Sequence, residues 1–180
     1  MKPFPALLLA LASTLALPLA AQDATIGARA HAVAPMGDLN TLTNNQIGLG
    51  GAVFVAFPIS DGLLLRPLIG FQYIPKGDTL GLTGTKTRVA SIDFMLEGLW
   101  YPGGDPEHGA YLVGAAGGQQ WHIVATGDTP STINATRLGV NGGLGYQVSP
   151  RLGVEVRGFW SPINSTLTAT GLMVGATMKF

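Results

Sequence analysis

The sequence predicts an all-β fold: an eight-stranded antiparallel up-and-down β-barrel that crosses a membrane. Three observations carry this expectation. Charged residues make up 11% of the 180-residue chain, against roughly 25% in soluble domains. The 26 glycines are scattered through it, and past the amino-terminal segment no run approaches the ~20 apolar residues of a spanning helix. The last ten residues alternate: Leu172, Val174, Ala176 and Met178 are apolar, whereas Gly171, Gly175, Thr177 and Lys179 between them are small or polar. Side chains on a strand switch faces with period two, so this is a strand with one greasy side. A chain too apolar for a soluble surface and too interrupted for a helical span is expected to cross as strands.

The opening 21 residues have one cation, an apolar run broken by Pro18, and small residues at Ala20 and Ala21. That is the order of a secretory signal peptide, so residues 1–21 are set apart and 22–180 are taken as one barrel domain. Without Lys2, 9 basic residues face 10 acidic ones; no nucleic-acid partner is expected from that balance. There are no cysteines, so an exported domain of this size must draw stability from a core, a closed sheet or a membrane.

Turn signals divide the rest into eight alternating segments, near 25–35, 47–57, 63–74, 87–101, 109–124, 134–148, 152–160 and 166–180. The connections at 58–62, 102–108 and 149–151 are compact. Those at 36–46, 75–86, 125–133 and 161–165 are mostly longer and rich in Thr, Asn and Gly. Short turns at one end and longer loops at the other is the arrangement of membrane barrels, with the short turns periplasmic.

The faces agree on most strands. Leu138, Val140, Leu144 and Tyr146 oppose Arg137, Gly139, Asn141 and Gly143; Ile92, Phe94 and Leu96 oppose Ser91, Asp93 and Glu97. A soluble lipocalin-like barrel would turn the apolar class inward and need a charged exterior. The polar class here is mostly Gly, Ala, Asn, Gln and Thr, a poor soluble surface, so the apolar class is assigned to lipid. The aromatic residues are then expected in two girdles, Trp100, Tyr101, Tyr111 and Tyr146 at the turn end and Tyr73, Trp121 and Trp160 at the loop end. Tyr111 and Trp121 share a parity ten residues apart, which spans about 25 Å at ordinary strand rise and tilt. Two features fit badly: Pro67 interrupts the third strand, where a bulge is expected, and the second strand is apolar on both parities, leaving its register open.

The alternation Leu172-x-Val-x-Ala-x-Met-x-Phe180, with the hairpin from Gly143 to Arg157, resembles the small eight-stranded bacterial outer-membrane barrels of the OmpA, OmpX and OmpW type. The resemblance implies residence in outer-membrane lipid. It also implies insertion by the outer-membrane barrel assembly machinery, with the strand ending at Phe180 as the recognised signal. It is one of pattern, specific for architecture rather than activity.

The chemistry-bearing residues concentrate on the lumen parity. Arg29, Arg66, Glu97 and Glu155 fall near one height, with Asp93, Arg137 and Arg157 above them. An eight-stranded barrel is only wide enough for side chains to fill, so such charges must pair. They form either a salt-bridge plug or a gate across a narrow path for ions or small solutes. The gate gains from glycines assigned to the lumen (Gly114, Gly118, Gly139, Gly143, Gly145, Gly175). His31 and His122 are placed in the lumen and His108 in a turn, without the spacing of a metal site. No cofactor and no catalysis are expected; the lipid-modifying barrel enzymes use a His-Ser-acid set, and His122 has no nearby Ser. The reading is an envelope protein with a structural or surface-interaction role, meeting an extracellular ligand through loops 36–46, 75–86 and 125–133.

Overall fold

The structure, a computed structural model, describes residues 24–128 and 130–180; the expected signal peptide lies outside them. Eight strands close into one antiparallel barrel in sequence order: β1 (Thr25–Met36), β2 (Gly48–Ser60), β3 (Leu63–Asp78), β4 (Lys86–Trp100), β5 (Gly109–Thr126), β6 (Ser131–Gln147), β7 (Leu152–Pro162) and β8 (Thr168–Lys179). β1 closes on β8 through a continuous register from Gly27 opposite Lys179 to Met36 opposite Thr170. Closure leaves no edge within the barrel wall, the condition for strands to span lipid.

The burial patterns decide which parity faces which way. Arg66, Asp93, Glu97, Glu155 and Arg157 are buried inside, while Ile69, Phe94, Leu144, Val156 and Val174 are exposed on the outer wall. A polar interior inside an apolar wall is the reverse of a soluble barrel. The fold is a transmembrane β-barrel.

The second strand's register is set by its neighbours: Ala52, Phe54 and Ala56 turn inward, and Leu49 and Val53 outward. At Pro67 the expectation of a bulge is corrected. The β2–β3 register runs from Phe54 opposite Leu68 straight to Phe57 opposite Leu65 without a shift. What is missing is the pairing of Val55 and Ala56 with Pro67 and Arg66. Proline has no N–H, and one absent donor towards the Val55 carbonyl removes both bridges while the register survives. The true register shifts lie elsewhere, between Pro58 and Ser60 and between Ile74 and Gly77. Pro67→Val is therefore expected to restore the ladder and stabilise the barrel by about 1 kcal/mol, read as a higher urea midpoint.

Loop 36–46 is not extended. It contains a helix, α1 (Gly37–Thr43), stopped by Asn44 in the left-handed region (φ 49°) with its N–H on the Asn40 carbonyl at 2.8 Å. Leu39 and Thr43 are fully buried, so the helix folds down into the loop-end mouth. The Asp38 Oδ2 accepts the Thr168 N–H at 2.8 Å, and Leu80 N–H donates to the Thr41 carbonyl at 2.9 Å. Loop and helix form one cap.

Candidate functional site

Five of the seven predicted lumen charges meet in one cluster. Glu97 of β4 accepts from Arg29 Nη1 of β1 at 2.8 Å and from Arg66 Nε of β3 at 2.6 Å. It also accepts from Arg157 of β7, whose Nη1 and Nη2 both reach it. Glu155 accepts from Arg66 Nη2 at 2.9 Å, Arg157 Nη2 at 2.5 Å and Tyr111 Oη at 2.8 Å. Arg66 and Glu97 are direct neighbours across two strands, and Glu155 and Arg157 sit two residues apart on β7. The other charge pairs reach across the lumen. The Arg66 guanidinium also lies over the Phe54 ring, 4.5 Å from its centroid.

The remaining two stand apart. Asp93 is held by neutral donors, Ser91 Oγ at 2.9 Å and the Gln72 and Gln119 side-chain amides at 3.1 Å each. Arg137 is exposed near the loop end and donates to its neighbour's carbonyl, that of Thr136, at 3.0 Å.

The girdle assignment needs three corrections. Tyr111 and Trp121 are each 1% exposed and Tyr101 2%, all inside the barrel, whereas Tyr73, Trp100, Tyr146 and Trp160 are 45–54% exposed on the wall. The shared parity of Tyr111 and Trp121 is the lumen parity. Tyr111 stacks obliquely on Tyr101 at 4.8 Å between ring centroids and puts its hydroxyl on Glu155. Gly145 makes room for it: a Cβ there would overlap the Tyr111 ring. Trp121 donates its Nε1–H to Ser161 Oγ at 3.1 Å. The same inversion on β5 puts Gly114 and Gly118 on the outer wall, where added Cβ atoms would meet nothing within 4 Å. It also moves His122 outside, its Nδ1 2.7 Å from Asn134 Oδ1.

Sequence reasoning missed the apolar half of the lumen. Above Asp93, Leu39 from α1, Trp121, Ile123, Phe159 and Ile163 form one buried cluster with Val33, Ile74 and Val89. The signal was present in the inward Val33, Ile74 and Val89, which parity alone left unremarked. At the turn end a recess of about 360 Å³ opens between Glu107, Arg151 and Lys179, and its lining stops at Ala56 and Leu64, short of the charge cluster. Phe180 ends the seam, its N–H on the Ile26 carbonyl at 2.9 Å and its ring exposed.

At the other end β5 and β6 stand above the barrel. Residues 131–139 of β6 pair with β5 alone; pairing with β7 begins only at Val140 opposite Trp160. Among the described residues two carbonyls along this edge are taken by side chains: that of Leu138 accepts from Ser161 Oγ at 3.3 Å, and that of Thr136 accepts from Arg137 Nη1 at 3.0 Å. Among the described residues no group of three or more His, Cys, Asp and Glu is arranged to hold a metal.

No protein-family model and no curated protein matches the chain. Solved structures do. Ail, the attachment invasion locus protein of Yersinia pestis, superposes with a TM-score of 0.60 at 10% identity, over 87% of this chain and 97% of that one. Ail has also been solved with the heparin analogue sucrose octasulfate. The N-terminal β-barrel domain of Pseudomonas aeruginosa OprF gives 0.61 at 12% identity, over 87% and 97%. A major outer membrane protein of Thermus thermophilus gives 0.52 at 16%, over 88% and 100%. At these identities the likeness is one of fold, and it agrees with the closed register and the apolar wall. The chain is, by fold, an eight-stranded transmembrane β-barrel of the type found in bacterial outer membranes.

Proposed function

We propose that residues 22–180 form an outer-membrane protein with a closed lumen, whose work is done at its extracellular rim. The observation that carries this is the filling of the interior. An Arg–Glu cluster blocks the middle, and an apolar cluster capped by α1 blocks the loop end. A hydrated ion would have to displace both, and dry apolar packing has no donors or acceptors to replace its water. The charges therefore act as a plug rather than a gate.

The rim offers two kinds of contact. Leu80 and Leu82 are exposed at the tip of loop 75–86, and the unpaired β6 edge presents backbone groups for strand addition. Lys76, Lys86, Arg88 and Arg137 share the loop end with Asp38, Asp78 and Asp128, close to charge balance. That balance favours a protein surface over a polyanion as the ligand. Loop 36–46 is withdrawn into the mouth as α1, so loops 75–86 and 125–133 carry the contact. Among the described residues neither His31 nor His122 is hydrogen-bonded to a hydroxyl it could activate, which favours a role without catalysis.

Two measurements test this. Fractionation with an unboiled-versus-boiled gel should leave the protein in the outer-membrane pellet with a heat-shifted mobility; a soluble, unshifted protein would overturn the reading. In planar bilayers the wild type is expected to show no conductance steps, and Glu97→Gln should not create them, because the apolar cap remains. Steps in wild type, or steps that appear on neutralising Glu97 or Arg66, would reinstate the gate.

A further inference from the structure

We propose that the recess at the turn end binds a short zwitterionic peptide, its carboxylate held by Arg151 and Lys179 and its ammonium by Glu107. The recess holds about 360 Å³, within the range of small-molecule sites. Its lining is mixed: Ala56 and Leu64 are buried and apolar, whereas Glu107, Arg151 and Lys179 supply charge. Leu64 packs with Leu99, Tyr101, Tyr111 and Val113 in one buried layer, so the inner side of the recess offers an aliphatic side chain an apolar seat. The site lies at the opposite end from the rim and requires no passage through the lumen.

The walls are fixed before any ligand arrives. The segment 102–108 is pinned across the mouth. The Tyr101 N–H donates to the Gly62 carbonyl at 2.7 Å, the Glu107 N–H to Asp105 Oδ1 at 2.7 Å, and Lys179 Nζ to the Pro106 carbonyl at 3.2 Å. The last bond places the ammonium at the recess wall, because Pro106 lines it too. An ammonium carries three donors, so it has others for a ligand. Arg151 is adjacent, its carbonyl accepting the Lys179 N–H at 2.8 Å. Pro58, Pro106 and Pro150 also line the recess. Proline fixes φ and has no N–H, so these positions are stiff and offer no backbone donor to a carboxylate. The two cations must hold it.

The charges select the ligand. Among the described residues the ion pair at this end joins His108 to Asp105 at 3.8 Å, and Glu107, Arg151 and Lys179 make none. A simple anion would meet Glu107 and, at the same end, Asp61 and Asp105. A simple cation would meet Arg151 and Lys179. An uncharged apolar molecule would take water from these groups and return no hydrogen bond. A short peptide with free ends carries both signs, and its side chains suit the apolar seat.

The test uses the full chain extracted from membranes of expressing cells in a non-ionic detergent, with trialanine as the probe. Isothermal titration calorimetry is expected to show saturable binding. N-acetylated and C-amidated trialanine should each bind the wild type about tenfold more weakly, the scale of one charge-assisted hydrogen bond. Arg151→Gln and Glu107→Gln should weaken the free peptide to a similar extent. Both residues are exposed, and a retained heat-shifted gel form shows that the variants are folded. No saturable heat at millimolar trialanine overturns the proposal. So does binding that both substitutions leave unchanged, since the peptide would then sit elsewhere. Acetylated peptide binding as tightly as the free one, with binding lost on amidation, would make this an anion site and overturn it too.

Discussion

Replacing Glu97 with glutamine is expected to cost the barrel about 3–5 kcal/mol, the range for removing one partner from a buried ion pair. Glu97 is fully buried and is the hub on which Arg29, Arg66 and Arg157 converge. Glutamine keeps the shape but leaves three guanidiniums against the single carboxylate of Glu155. It also turns an amide NH₂ towards groups that only donate. Urea unfolding, scored by loss of the unboiled gel form, would show the midpoint fall. A shift below about 1 kcal/mol would mean that the arginines find other partners and that the cluster is not a tight network. The double variant Glu97→Gln with Arg157→Gln should recover part of the loss, because the two residues touch and their effects are not additive. The cluster as a whole need not be stabilising against an apolar filling of equal volume; its members depend on one another.

Phe94→Arg is expected to destabilise the barrel by about 2–4 kcal/mol, the penalty for arginine on the lipid face near the bilayer midplane. Phe94 is exposed on the wall, six residues from Trp100 at the turn-end girdle and six from Arg88 at the loop end. The comparison with the next residue gives the experiment its force. Asp93 points inward and Phe94 outward on the same strand, so a charge is held at one and penalised at the other. Refolding into lipid vesicles followed by urea titration would measure the loss. A variant as stable as wild type, or more soluble without detergent, would mean that this wall meets water, and the membrane assignment would fail.

The strands were legible because a closed barrel asks each one for the same simple thing, alternation. Expected bounds such as 63–74 and 152–160 lie inside β3 and β7. Legibility failed where the alternation is weak. In β5 the stretch Gly114-Ala-Ala-Gly-Gly-Gln-Gln120 carries small and polar residues on both parities, so nothing local says which side Tyr111 and Trp121 take. An inward aromatic ring fits only if another strand yields space, as Gly145 does for Tyr111, and that complementarity is not visible within one strand. The helix in loop 36–46 was hidden for a related reason. Its seven residues are too short for an amphipathic period to stand out, and its stability comes from burying Leu39 in the mouth.

Arg29, Arg66, Glu97, Glu155 and Arg157 could be chosen from parity and height, but not who holds whom. By itself the sequence determined that this chain crosses a membrane as eight alternating strands with charges turned inward, since composition and period two are local properties that each strand displays alone. Only the tertiary structure decided that Arg157 joins the cluster while Asp93 and Arg137 stay out of it. It also decided that an apolar cluster fills the loop-end lumen and that three arginines share two glutamates below it. These follow from closure: the stagger of the strands sets which inward side chains meet across the lumen, and that stagger is a property of the whole sheet.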